Sequence, residues 1–347
     1  MSDRSVAASE EASTRSGRDW VQLLAKYREP SHLRSVFELV VTVGPLIVLF
    51  ALGWWALEVS YLLAAALAVV NAGFLVRAFA IQHDCGHASF FRNRHVSDWV
   101  GRVLGVLTLT PYDVWRRSHS IHHSSAGNLD KRGIGDVLTL TVAEYYALSK
   151  WGRFRYRLYR HPVVLFGLGP AYLFILQNRL PLGFMTAGWK YWTSAMATNA
   201  AILLGIGLMI WFGGLMPFLL VYLPTALIAA TLGVWLFYIQ HQFEETEWQS
   251  GADWQLHDAA LNGSSHYDLP AVLRWMTANL GIHHVHHLYS RIPFYRLTEV
   301  LRDYPVLADT QRMTLWQSFK CTRVHLWDEK SHRLLSFAGA RRAHRAA

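Results

Sequence analysis

Apolar positions in this chain gather into long unbroken runs, and two pairs of such runs dominate its pattern. The first pair extends from Val36 to Leu57 and from Val59 to Ile81; the second extends from Met196 to Trp211 and from Met216 to Ile239. Each run approaches the length of about 20 residues that carries a helix across a bilayer core. Helices are the expected form, because irregular backbone in hydrocarbon leaves N–H and C=O groups unpaired. Only Glu58 separates the first two runs, and Phe212-Gly213-Gly214 turns the second pair. Each pair therefore predicts a membrane hairpin.

The remaining text is more polar. Residues 1–19 read as a disordered tail and 20–35 as an amphipathic, basic pre-membrane segment. Hairpin 1 occupies 36–81 and hairpin 2 occupies 196–239, with a cytoplasmic and interfacial stretch at 82–195 between them. Residues 240–347 form a cytoplasmic cap with a basic tail. Two shorter apolar stretches, Val100–Leu109 and Val163–Leu176, are too short to span and predict interfacial helices. A crossing at the second would invert hairpin 2 and part the early histidines from the late ones. The expected fold is an all-α integral membrane protein of one domain, with four transmembrane helices in two hairpins, interfacial helices and a cytoplasmic histidine-rich cap.

Composition supports the membrane class. Of 347 residues, 52% are hydrophobic and only 16% charged, against about a quarter in soluble domains. The net charge of +9 lies in Lys and Arg flanking the apolar runs, while the two hairpin turns hold none. This bias places both termini and the middle stretch in the cytoplasm, and it fits anionic headgroups better than nucleic acid. Two cysteines, Cys85 and Cys321, support neither a disulfide framework nor a Cys-type zinc site. The polar start lacks the apolar core of a secretory signal.

Among eighteen histidines, spacing separates ligand candidates from the rest. His83 and His87 stand at i and i+4; His119, His122 and His123 stand at i, i+3 and i+4, as do His283, His286 and His287. On a helix these spacings bring imidazoles to one face, as shared metal ligands require. His241 stands alone at the end of the fourth run. All four groups follow from the topology as lying on one side of the membrane. His32, His325, His332 and His344 read as residues of polar tails; His95, His161, His257 and His266 are isolated, and His284 breaks its cluster's pattern.

Imidazole suits zinc, copper, iron and nickel alike. Nine imidazoles exceed one ion's needs, so two ions with open positions are the economical arrangement. No His-Glu-x-x-His is present, and Glu-x-x-His occurs only at Glu29–His32 and Glu329–His332, in polar text. Neither a zinc peptidase nor a carboxylate-bridged di-iron bundle is supported.

The three boxes H-x3-H, H-x2-H-H and H-x2-H-H, in this order around two hairpins, resemble those of the membrane fatty acid desaturase family. The likeness covers roughly residues 20–300. It includes PYDVWRRSHSIHHSSAGNLDKRGIGDVLTLTVAEY, WLFYIQHQFEETEW and GSSHYDLPAVLRWMTANLGIHHVHHLYSRIPFYRL, which look like segments of bacterial acyl-lipid desaturases. The resemblance implies two iron ions held by His83, His87, His119, His122, His123, His241, His283, His286 and His287. Acyl-CoA members carry an Asn four residues before the isolated His, where this chain has Phe237; Asn279 or Gln240 are candidate substitutes.

The resemblance further implies oxygen as co-substrate and a cis double bond introduced into a lipid-linked acyl chain, of Δ5, Δ9 or Δ12/ω-6 type with Δ12 ranked first. The location implied is the bacterial inner membrane. The chain has no flavin or nucleotide fingerprint, so electrons must come from a separate ferredoxin or cytochrome-type carrier with its reductase. The basic segment Arg153–Arg157 suits either headgroups or an acidic donor. Asp84, Asp136, Glu244 and Glu245 are candidates for orienting ligand imidazoles. A hydroxylase or acetylenase of the same superfamily is the nearest alternative, and a histidine-rich membrane metal transporter is an alternative of another class.

Overall fold

The computed structural model describes residues 16–346, so the expected tail lies outside the described residues as far as residue 15. Its last part is helical instead: α1 (Gly17–Leu24) starts inside it. Ser16 and Asp19 cap each other's backbone N–H groups there, satisfying two donors that a helix start leaves open.

Among the described residues, four helices are long and apolar enough to cross a membrane: α2 (His32–Ala56) and α3 (Tyr61–Gly86), then two more from Trp189 to Gly213 and from Leu215 to His241. In each, only 17–44% of the most apolar stretch is buried within the protein, so most of that surface requires a hydrocarbon neighbour. Helix α3 runs beyond Ile81 to Gly86, and the fourth span runs to His241. His83, the first candidate ligand, therefore sits on a continuation of the spanning helix itself, not on a loop after it.

The apolar runs conceal a buried ion pair. Arg77 of α3 pairs with Glu38 of α2, and both are 1% exposed. Arg77 Nε also donates to Thr42 Oγ1 at 3.1 Å, its guanidinium bonds Trp275 O, and it lies 4.0 Å over the Trp275 ring. Every charge in this group has a partner, as burial requires. The group fastens hairpin 1 to the cap.

Between the hairpins, α4 (Arg94–Leu107) and α5 (Tyr112–Ser125) cover the end of α3. Val96, Trp99 and Val103 form an exposed stripe at i, i+3 and i+7 on α4, which is suited to a membrane interface. Strand β1 (Leu140–Thr141) leads to α6 (Val142–Ala147) and α7 (Lys150–Tyr159). Residues 164–176 follow as a helical segment with π-type turns. Thr231 donates to Phe166 O at 2.9 Å and holds that segment on the fourth span.

Hairpin 2 comprises α8 (Trp189–Gly213) and α9 (Leu215–His241). Its two turn glycines serve different needs. Gly214 takes φ +74°, which favours glycine, while a Cβ at Gly213 would lie 1.8 Å from the Trp54 ring.

The cap continues with α10 (Leu256–Asn262), β2 (His266–Asp268), α11 (Ala271–Met276), α12 (His283–Leu288) and α13 (Leu297–Asp303). Strand β2 pairs in parallel with β3 (Arg312–Thr314). The basic tail is folded: β4 (Leu326–Asp328) joins β1 in parallel and β5 (Arg333–Leu335) antiparallel, and α14 (Phe337–Ala346) packs on α6. His325, expected in a polar tail, is instead 9% exposed with its ring stacked 4.4 Å from Phe337. Sequence polarity missed this lobe because its strands are only two or three residues long.

Candidate metal centre

The structure brings all nine candidate histidines together, in two groups. One contains His83, His87, His119, His123 and His286; the other contains His122, His241, His283 and His287. Within each group, one ring nitrogen from every histidine lies within 4.8 Å of those of the others.

The grouping follows helix geometry. His83 stands at the end of α3 and His87 directly after it, one turn apart. On α5, His119 and His123 share the first group while His122 turns to the second. On α12 the sharing reverses, with His283 and His287 in the second group and His286 in the first. Each i, i+4 pair thus faces one centre, and the i+3 residue reaches the other. His241, the last residue of α9, completes the second group.

Hydrogen bonds on the outer side fix several rings. His122 Nδ1 donates to Asp136, and His241 Nδ1 donates to Gly263 O at 3.1 Å. A neutral imidazole has one N–H, so both Nε2 atoms carry lone pairs. Those two atoms lie 3.1 Å apart, and His241 Nε2 is 3.0 Å from His283 Nε2. In the first group, His119 Nε2 lies 3.0 Å from His87 Nε2 and 3.1 Å from His123 Nε2, which is 3.2 Å from His286 Nε2. One proton per ring cannot satisfy that chain of contacts. Cations bonded to each nitrogen at about 2.1 Å would. Ligands at right angles would then be separated by about 3.0 Å and tetrahedral ones by about 3.4 Å, so the observed spacing suits coordination numbers above four. His287 Nε2, buried without a hydrogen-bond partner, points to the same conclusion.

Protonation does not offer an alternative. Burial first, and then the neighbouring imidazoles, hold His87, His119, His123, His283, His286 and His287 well below the ordinary imidazole range. The rings are therefore neutral donors of electron pairs, the form that binds metal.

Of the four carboxylates singled out in the sequence, two serve this shell. Asp84 Oδ1 accepts from His83 Nδ1 at 3.2 Å, and Asp84 Oδ2 accepts from Phe294 N at 2.7 Å. Asp136 holds His122. Glu244 and Glu245 are exposed. The Gly263 carbonyl was not legible, since a backbone acceptor leaves no side-chain signal. Phe237 packs 5.1 Å from the His122 ring and 5.6 Å from His241, putting hydrocarbon where the family comparison raised an amide. Each proposed substitute has an amide nitrogen engaged elsewhere: Gln240 Nε2 donates to Leu280 O and Asn279 Nδ2 to Phe294 O. A cavity of about 10 Å³, room for one water, lies beside the second group against Asp136, Phe237, His241 and Trp248.

Two of the remaining histidines are engaged elsewhere. His284 Nε2 donates to Leu307 O at 2.7 Å, and burial pushes its pKa down to about 3. His266 Nδ1 donates to Ala308 O at 2.6 Å.

Comparison with known proteins agrees with this geometry. The family model described as "Fatty acid desaturase" matches residues 59–319. A fatty acid desaturase of Bacillus subtilis is 42% identical over 314 residues, covering 90% of this chain and 89% of its own. A Synechocystis protein named sn-1 acyl-lipid omega-3 desaturase (ferredoxin) is 28% identical, covering 84% and 81%. An sn-1 oleoyl-lipid 12-desaturase of Anabaena variabilis is 24% identical, covering 72% and 71%.

Proposed function

The chain belongs to the fatty acid desaturase family and is an oxidoreductase, and from that premise we propose that it desaturates lipid-linked acyl chains at a centre of two iron ions held by the nine histidines. The observation that carries the metal assignment is the pair of lone pairs on His122 and His241, 3.1 Å apart with both outer nitrogens already donating. His83, His87, His119, His123 and His286 hold one ion; His122, His241, His283 and His287 hold the other. Bound iron supplies, with oxygen, the oxidising power to take two hydrogens from adjacent unactivated methylenes.

The chain's own residues set the conditions for that chemistry. Asp84, Asp136 and Gly263 O keep outward N–H groups engaged, so that lone pairs point inward. Phe237 presents an apolar face to the second group and keeps bulk water from it. His83 and His241 end spanning helices, so the centre sits at the membrane surface where an acyl chain enters sideways. Two electrons per turnover come from a separate carrier. The site faces the cytoplasm of a bacterial inner membrane, with both termini on that side.

The proposal is tested by expression in a host of known lipid profile, followed by mapping of new double bonds. A new cis double bond that disappears in the His286→Ala variant is expected, and its position identifies the regiochemistry. An alcohol bearing oxygen from labelled O2 as the main product would assign a hydroxylase instead. Zinc-only content without oxygen-dependent activity would assign a transporter.

A further inference from the structure

The folded C-terminal lobe has no part in holding the metals, yet it concentrates positive charge beside them. Arg341, Arg342 and Arg345 of α14 are all exposed, and at 100° per residue they share one outward face. The adjoining face packs on the lobe: Ala340 is fully buried, Phe337 stacks on His325, and His344 stacks 3.9 Å from Tyr146. Helix α7 adds Arg153, 5.8 Å over the Tyr146 ring, and Arg157, 5.0 Å over the Phe337 ring. Among the described residues none of these five arginines has a carboxylate within ion-pair distance. Glu144, the acid on adjoining α6, is paired with Arg132. Arg157 lies over Phe337 of α14, and Arg153 over the Tyr146 ring on which His344 of α14 stacks. The five unneutralised guanidinium groups therefore belong to one lobe and form a basic surface for an anionic partner.

Two classes of partner carry such charge, and the structure favours protein over lipid. A helix lying in a membrane keeps its apolar face free for acyl chains. Helix α7 does expose such a stripe, Trp151, Phe154 and Leu158, but α14 exposes no large apolar side chain. The lobe also abuts the second histidine group. Leu334 N donates to Glu244 O at 3.1 Å, and Arg160 joins Val324 O to Gln242, the residue after His241. Trp327 and Trp248 share a packed cluster with Leu129 and Leu334, and Trp248 lines the cavity beside His241. Helix α14 packs on the cluster of Tyr145, Tyr156 and Leu326, and Leu326 adjoins Trp327 in β4, whose own cluster with Trp248 reaches the cavity beside His241.

We propose that Arg153 and Arg157 of α7 with Arg341, Arg342 and Arg345 of α14 form the docking surface for an acidic one-electron carrier protein. This rests on the desaturase reading of the histidine centre. The overall reaction balances as R–CH2–CH2–R′ + O2 + 2 e⁻ + 2 H⁺ giving R–CH=CH–R′ + 2 H2O. The two electrons arrive singly, each given up by one reduced carrier that leaves oxidised, so the surface must bind and release twice per double bond. Charge pairing at a rim suits this, because it speeds encounter more than it prolongs residence.

The test is a binding titration of a purified acidic [2Fe–2S] ferredoxin against the full chain in nanodiscs of neutral phosphatidylcholine. Reversal of Arg341, Arg342 and Arg345 to Glu should weaken binding at least about tenfold and flatten its salt dependence. The milder Arg341→Gln, Arg345→Gln variant should fall between it and the parent. Turnover driven by reduced methyl viologen, which needs no docking, should stay within about twofold of the parent while ferredoxin-driven turnover falls with binding. Unchanged ferredoxin binding in both variants would overturn the proposal. So would loss of viologen-driven turnover alongside it, which would make the helix a structural element, or an effect seen only in anionic phosphatidylglycerol discs, which would assign the surface to headgroups. A parent that binds ferredoxin through this surface but forms no double bond would refute the desaturase reading and leave the docking surface standing.

Discussion

The two histidine groups differ in number, exposure and support. The first has five imidazoles, of which His87, His119 and His123 are half-buried, and a single carboxylate, Asp84, braces it through His83. The second has four, all buried, braced by Asp136 through His122 and by Gly263 O through His241. The first is rich in ligands and close to solvent; the second is sparse and held from outside. With fewer ligands, the second has the more open coordination and relies more on orientation. Its ion should therefore be more sensitive to any loss in the surrounding shell.

The largest effect that sharpens this comparison comes from ligand removal. His241→Ala leaves three imidazoles, and His87→Ala leaves four. Both should abolish desaturation, but metal analysis should find about one ion per chain in His241→Ala and a value nearer two in His87→Ala. Equal losses would break the distinction. Next come the braces. Asp136→Asn should weaken metal retention about 10–100-fold against a chelator, and Asp84→Asn should do so less, because His83 shares its ion with four other ligands.

Much of this site was legible in the sequence. The i, i+3, i+4 spacings identified eight imidazoles because helical periodicity is local. The division of each H-x2-H-H box between the two histidine groups was not legible, since it depends on where α5 and α12 stand relative to each other. His241 lacked a spacing of its own and rested on resemblance; its place became visible only with α9 ending against Gly263. Hairpins were legible from apolar runs, but those same runs hid Glu38 and Arg77, whose burial depends on partners 39 residues apart. The C-terminal lobe was misread as tail because its two- and three-residue strands depend on pairing with distant β1 for their order.

Acidity gives a smaller and graded effect. The pKa values of the ligand imidazoles outside the spans lie well below the ordinary 6.5 because burial disfavours the cation. An opened or unfolded chain titrates near 6.5, so it binds more protons than the closed site as pH falls below that value. Metal retention should be full above about pH 6.5 and decline below it. Chelator-challenge rates measured between about pH 7.5 and pH 5 check the sign, and retention that improves on acidification would contradict it. The smallest effect is expected at Phe237. Phe237→Asn places an amide beside His122 and His241 and should change turnover by no more than about tenfold, while altering the spectroscopic signature of one iron only. A change at both would show that the two groups are not separately tunable.

The central claim, two irons bound by nine imidazoles, is tested most directly by counting metal in the full chain purified from an iron-replete host. The account predicts about two iron ions per chain, falling to about one in His241→Ala with the fold retained. One iron per parent chain, or zinc in place of iron with desaturation intact, would contradict it.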